Sequence, residues 1–148
     1  MYQHILVPID GTALALRAVR EAARLAVALK SKLLILHVLS PMELPHHVEG
    51  GALTHLPRSQ LLQEAESLER TIMNDAVKVA EEAGASPTPG FITGTSPYEA
   101  ILNVATGQQC DLIVMASHGR RGLADLLLGS ETEKLLTHVK DIPVLVVR

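Results

Sequence analysis

Tryptophan is absent from these 148 residues, and Tyr2, Phe91 and Tyr98 are the only aromatic side chains. Proteins that hold single-stranded nucleic acid stack bases on aromatic platforms, so so few rings argue against that role. Charge argues the same way. Thirteen basic against sixteen acidic residues leave a net charge of −3, without the positive excess that a phosphate backbone demands. Cysteine is almost missing too: Cys110 stands alone, which excludes an internal disulfide framework and suits a reducing, cytoplasmic setting. No apolar run approaches the ~18 residues that would span a bilayer. The opening segment Met1–Asp10 lacks the charged start and small-residue cleavage site of a secretory signal. Neither nucleic acid nor membrane is an expected partner. Two phosphate fingerprints are also missing, the P-loop G-x-x-x-x-G-K-[ST] and a G-x-G-x-x-G after the first strand.

What remains is an aliphatic chain, long enough for one domain over 1–148 with its own core. Four β-rich runs stand out: Ile5–Ile9, Leu33–Leu39, Leu112–Met115 and Val144–Val147. A weaker fifth is Thr88–Thr93. The strong runs are apolar without polar alternation, as in strands covered on both faces. Helical stretches separate them. Ala13–Leu29 is rich in Ala, Leu and Arg, and Gln60–Ala83 places apolar residues near a 3.6-residue period. Ser96, Pro97, Tyr98 and Glu99 read as a capping box opening a helix to Thr106. Ser130 through Glu133 reads as a second box, opening a helix to about His138. Gly84 stands where a helix stop is wanted. Every interval between strands is long enough for a parallel crossover, so a doubly wound α/β sheet follows. Ser40–Arg58, with Pro41, Pro45, Pro57, Gly50 and Gly51, is a loop long enough to suggest a binding segment.

In such sheets ligands bind beyond the carboxyl ends of the strands, where strand order reverses. Two loops there look specialised. The first is Pro8, Ile9, Asp10, Gly11 and Thr12, and the second runs from Met115 through Ala116, Ser117, His118 and Gly119 to Arg120, Arg121 and Gly122. The second continues to Gly129 and Ser130 at a helix start. Glycines let backbone amides approach a ligand, and a helix N-terminus adds unpartnered donors and a favourable dipole. Arg120 and Arg121 add cations. These are the parts of a polyphosphate site, although capping alone explains Ser130 fully and Asp10 could simply cap the first helix.

The tract Ala116–Gly119, nine residues, then Gly129 and Ser130, with Pro143–Val147 after the next helix, resembles the universal stress protein family. ATP-binding members carry G-x-x-G, nine residues, then G-[ST]. The start Ile5–Thr12, His37 and Val38 closing the second strand, and Gly94, Ser96 and Pro97 are similar as well. The resemblance spans the whole chain. It implies a five-stranded, Rossmann-like parallel sheet ordered 3-2-1-4-5, a homodimer, and a regulatory role in stress tolerance through some protein partner. It also implies ATP, with or without Mg²⁺, as ligand. Pro8, Ile9, Asp10 and Val38 match positions around adenine and ribose. Met115, Ala116, His118, Gly119 and Arg120 match the ribose and phosphate tract, and Gly129, Ser130, Glu131 and Thr132 the phosphate-proximal turn. One position departs: Ala116 stands where the motif's first glycine belongs. If positive φ is needed there, the methyl costs about 1 kcal/mol or more, and if the backbone is ordinary β the cost is negligible.

Phosphoryl transfer needs a metal-holding carboxylate and a group orienting the nucleophile. Asp10 and Asp125 are the nearest candidates and neither has an evident second member, so binding with at most slow hydrolysis or self-phosphorylation at Ser130 or Thr132 is expected. A nucleotide-free interaction protein is the alternative. His46, His47 and His55 lack the fixed spacing of zinc ligands, and no metal site is expected. Arg17, Arg20 and Arg24 form a helical stripe best read as a solvated face. Pro143–Arg148 would lie at a sheet edge, and an edge this apolar invites pairing with a second copy.

Overall fold

The structure, a computed structural model, describes residues 1–39, 58–119 and 128–148. Its elements are β1 (His4–Ile9), α1 (Ala13–Leu29), β2 (Lys32–Leu39), α2 (Arg58–Glu82), β3 (Pro87–Thr93), α3 (Pro97–Gly107), β4 (Leu112–Ala116), α4 (Ser130–His138) and β5 (Val144–Val147). The strands form one parallel sheet, as the alternation of runs predicts, in the order β3-β2-β1-β4-β5 that the resemblance implies. Residues 40–57 of the long proline-bearing loop, with His46, His47 and His55, lie outside the described residues. Among the described residues no helix is long and apolar enough to cross a membrane.

The uniform apolar runs resolve into two faces by strand parity. Ile5, Val7, Ile9, Ile35 and Val114 pack under α1 and α2. Leu6, Leu34, Leu36 and Ile113 pack under α3 and α4, meeting Ile101 and Leu135. Helix α1 lies on the sheet through Ala15, Ala18, Ala22, Ala23 and Ala26, whose small side chains allow a close approach. It ends at Lys30 in the left-handed region (φ 57°), whose amide caps the last turn. Gly84, at φ 90°, stops α2, as expected. Arg17, Arg20 and Arg24 are exposed along α1, and Arg24 pairs with Glu21 at 2.9 Å. Cys110 is buried in the α3 layer. Desolvation, helped by the charge of Asp111, pushes its thiol up to about 11, which keeps it protonated and unreactive at neutral pH.

The two sheet edges differ. Gly94 donates to the Leu39 carbonyl at 2.9 Å. Alternation along β3 therefore turns the nitrogens of Pro87 and Pro89 outward, where proline removes donors from the edge without breaking the ladder. At the opposite edge the carbonyls of Pro143 and Val147 accept from Ile113 and Ser117. The N–H and C=O groups of Val144 and Val146 therefore face outward. The expectation that Val144–Val147 is covered on both faces fails: all four residues are partly or fully exposed, with Leu145 at 42%, because β5 is the last strand.

At the amino-terminal end of the sheet, Asp111 clamps β1 to β4. Its carboxylate accepts from the Gln3 amide at 2.8 Å and from the His4 amide at 2.9 Å. Burial alone would raise its pKa, but these amides and the nearby His4 outweigh burial and hold it below the ordinary carboxylate value. A lowered folded pKa means that the stabilisation is fully present above about pH 4 and is lost as pH falls through the folded value. We expect Asp111→Ala to cost about 1 kcal/mol at pH 7, solvent exposure limiting the effect. Urea titrations of both proteins should show the difference shrinking below pH 4. A gap that persists at pH 2 would show that the carboxylate charge is not its source.

Candidate functional site

The order β2-β1-β4 puts the reversal of strand order between β1 and β4, and the two specialised loops meet there. On the β1 side, Thr12 is the N-cap of α1, its hydroxyl accepting from the Ala15 amide at 3.1 Å. Asp10 is not the cap. Its Oδ1 accepts from the Thr12 amide at 3.0 Å and from the Thr12 hydroxyl at 2.6 Å, bracing the residue that caps. Gly11 between them sits at φ 84°, a conformation that favours glycine. This braced turn leaves Oδ2 of Asp10 close to the β4 loop. A Cβ placed on Gly119 would come within 3.0 Å of it.

On the β4 side, Ala116 is the last residue of the strand and pairs with Val147. Its φ is not positive, and its methyl is buried in the layer beneath α1. Of the two readings left open for this position, ordinary β backbone is the one found. Ser117 follows, 2% exposed. Its amide donates to Val147 at 2.7 Å and its carbonyl accepts from the Gly129 amide at 2.6 Å. Its hydroxyl lies 3.0 Å from Nδ1 of His118, which is half-buried. The nine residues between Gly119 and Gly129 thus leave and return at one neck. A Cβ on Gly129 would stand 3.1 Å from Cα of His118, 3.2 Å from the Ser117 carbonyl oxygen and 3.4 Å from the Gly119 nitrogen.

Two capping expectations need correction. Gly129, not Ser130, is the N-cap of α4, and it can supply no side-chain acceptor. Ser130 is the first helical residue and is exposed. The amides of the first turn therefore stay available to an anion, strengthened by the helix dipole. Ser96 is the N-cap of α3 but makes no side-chain cap hydrogen bond. The acceptor comes from elsewhere: Glu131 Oε2 accepts from the Tyr98 amide at 3.1 Å.

The structure brings Asp10, Ala116, Ser117, His118, Gly119, Gly129 and Thr132 together. Thr132 is fully buried, and its hydroxyl donates to the Ala116 carbonyl at 2.9 Å, tying α4 to the end of β4. Met115 is buried on the α3–α4 face. Pro8 and Ile9 sit in register with Leu36 and His37 of β2, and Val38 follows one residue further on, packed against the α3–α4 layer. Arg120 lies outside the described residues. Sequence reasoning missed Ser117 as a hinge of the site and Tyr98 as a partner of Glu131. A buried polar residue at a strand end was the available signal for the first. A hollow of about 300 Å³ lies elsewhere, between α1 and α2, lined by Arg20, Arg24, Val79, Glu82 and Ala83, and its mixed charge offers no site of one sign.

Comparison with known proteins agrees with this architecture. The model of the Universal stress protein family matches residues 1–148. The chain is 31% identical over 148 residues to the Universal stress protein in QAH/OAS sulfhydrylase 3'region of Thermus aquaticus, covering all of both chains. It is 30% identical to Universal stress protein YxiE of Bacillus subtilis, again covering all of both. Its fold matches the solved structure of hypothetical protein MJ0577 with a TM-score of 0.74 and 28% identity, over 99% of this chain and 96% of that one. The organism of that protein is Methanocaldococcus jannaschii. A universal stress protein in complex with cAMP matches with a TM-score of 0.73 and 26% identity, over 99% and 97%.

The neck makes a direct prediction. In Gly129→Ala the new methyl meets backbone on two sides, and backbone cannot rotate away. We expect a loss of about 1–3 kcal/mol in chemical denaturation. Wild-type stability for this variant would show that the neck is looser than its geometry implies.

Proposed function

The chain belongs to the universal stress protein family, and from that premise we propose that it is a cytoplasmic, ATP-binding regulatory module with little or no turnover, acting as a homodimer. The observation that carries this reading is the backbone of Ala116. The motif's missing glycine is replaced at a position of ordinary strand geometry, and the methyl is packed into the core rather than left standing in the crevice. The departure therefore removes neither of the close approaches that shape the site, Gly119 against Asp10 and Gly129 against Ser117. The glycine cap of α4 adds amides for phosphate. A relative of the same fold, in complex with cAMP, supports an adenine nucleotide as the ligand class.

In this reading Pro8, Ile9, Asp10 and Val38 surround adenine and ribose. Met115, Ala116, His118, Gly119 and Arg120 line the sugar and phosphates, Gly129 shapes the turn with its amide held by Ser117, and Ser130, Glu131 and Thr132 present their amides to the phosphates. Low turnover follows from the absence of a second acid in the turn Asp10, Gly11, Thr12. The buried, donating hydroxyl of Thr132 leaves Ser130 as the more accessible acceptor for any slow self-phosphorylation. The dimer would form along β5, whose outward Val144 and Val146 backbone groups can pair antiparallel with those of a second copy. The β3 edge lacks outward donors at Pro87 and Pro89 and is less suited to that pairing.

Equilibrium dialysis with labelled ATP should give saturable binding in the micromolar range, about −8 kcal/mol. Ala116→Gly should change that affinity by no more than about threefold, since about 0.6 kcal/mol is the most that a well-housed methyl should contribute. No saturable binding up to millimolar ATP would overturn the nucleotide reading and favour a nucleotide-free interaction protein. The dimer has its own test. Leu145→Asp should yield monomers in light scattering, and an unchanged dimer would place the interface elsewhere.

A further inference from the structure

Helix α3 begins without the cap its own sequence offers. Ser96 makes no side-chain cap hydrogen bond, and Pro97 in the first helical position has no N–H. The first amide that α3 presents is that of Tyr98, and it is received at 3.1 Å by Glu131 Oε2 from the first turn of α4. The other carboxylate oxygen, Oε1, takes Lys134 Nζ at 3.3 Å. Below this contact, α4 is fastened to the end of β4 through Thr132 and Gly129.

Two carboxylates, Glu131 and Glu133, stand in the first turn of α4, and a carboxylate aimed at that N-terminus would repel a phosphate there. For Glu131 the geometry resolves the conflict. The Glu131 charge is directed to the N-terminus of a different helix and to Lys134, both favourable for an acid. We propose that Glu131 is a positioning residue: it caps α3 from α4, and so fixes the orientation of the α4 first turn whose backbone amides receive the nucleotide phosphates. This rests on the nucleotide reading above. The side chain of Glu131 does not touch the ligand. Its contribution is a hydrogen bond that ties two helix starts together, so loosening one end loosens the other.

The test compares the full-length wild type, Glu131→Gln and Glu131→Ala by two readouts: amide exchange at Tyr98, followed by NMR without nucleotide, and ATP affinity by dialysis. Glutamine keeps an acceptor oxygen and drops the charge, so E131Q should stay within about threefold of wild type in both readouts, as a neutral acceptor replaces a charged one. In E131A, Tyr98 exchange should quicken about tenfold and ATP affinity should weaken about tenfold, the size expected for one lost hydrogen bond to a charged group. An E131Q variant as impaired as E131A would overturn the proposal, because charge and not capping would then matter. Unchanged Tyr98 exchange in E131A, or unchanged ATP affinity, would also overturn it. The two failures are distinguishable. Absence of ATP binding by the wild type defeats the nucleotide reading, and this role of Glu131 with it, whereas unchanged Tyr98 exchange in E131A defeats the inter-helix cap while wild-type binding stands.

Discussion

The main chain of Ser117 is the point on which the candidate site turns. Its amide reaches out to Val147 of the edge strand, and its carbonyl reaches back to Gly129 at the start of α4. One buried residue thus helps to set the register of β5 and holds Gly129 beside the end of β4. The short approaches around it, Gly129 to Ser117 and Gly119 to Asp10, are tight enough that an added side chain would force its neighbours to give. Because the same residue serves both the crevice and the edge, the proposed nucleotide site and dimer strand share a mechanical anchor, and neither can shift far without the other.

The three positions of the G-x-x-G, nine, G pattern are not physically equivalent here. None has a positive φ, so conformational freedom is not what glycine supplies. At Gly119 and Gly129 it supplies space, since an added carbon would press on a carboxylate oxygen in one case and on backbone in the other. At Ala116 neither demand applies: the Cβ belongs to the core beneath α1. Spacing motifs record where small residues sit, whereas the reason for each small residue is particular to its surroundings.

The sheet shows a similar economy. Pro87 and Pro89 occupy alternate positions of one edge strand, the parity at which the missing N–H costs no internal hydrogen bond. The other edge ends in an unguarded aliphatic strand with Leu145 exposed. A parallel sheet so asymmetric in the chemistry of its edges has one side suited to extension and one side protected from it.

The alternation of aliphatic runs and helical stretches determined the α/β class. Gly84, Pro97 and the run from Ile5 to Ile9 placed element ends within a few residues of where they lie, because propensity, φ preference and periodicity act over a single turn or strand. The sequence also marked the two loops of the crevice, since their glycines are local features. It could not say which hydrogen-bonding groups meet. Ser96 has the residue type of a cap, yet the amide that needs an acceptor finds one 33 residues away on Glu131. Asp10 reads as a cap and instead braces Thr12. Nothing local marks Asp111, yet its carboxylate holds the amides of Gln3 and His4 at the start of the first strand. Whether Ala116 was compatible with the site was likewise undecidable from its identity, because the answer depended on which face of β4 its methyl takes. Local stereochemistry is written in neighbouring residues, but the choice among competing donors and acceptors is made by distances that exist only once the strands are side by side.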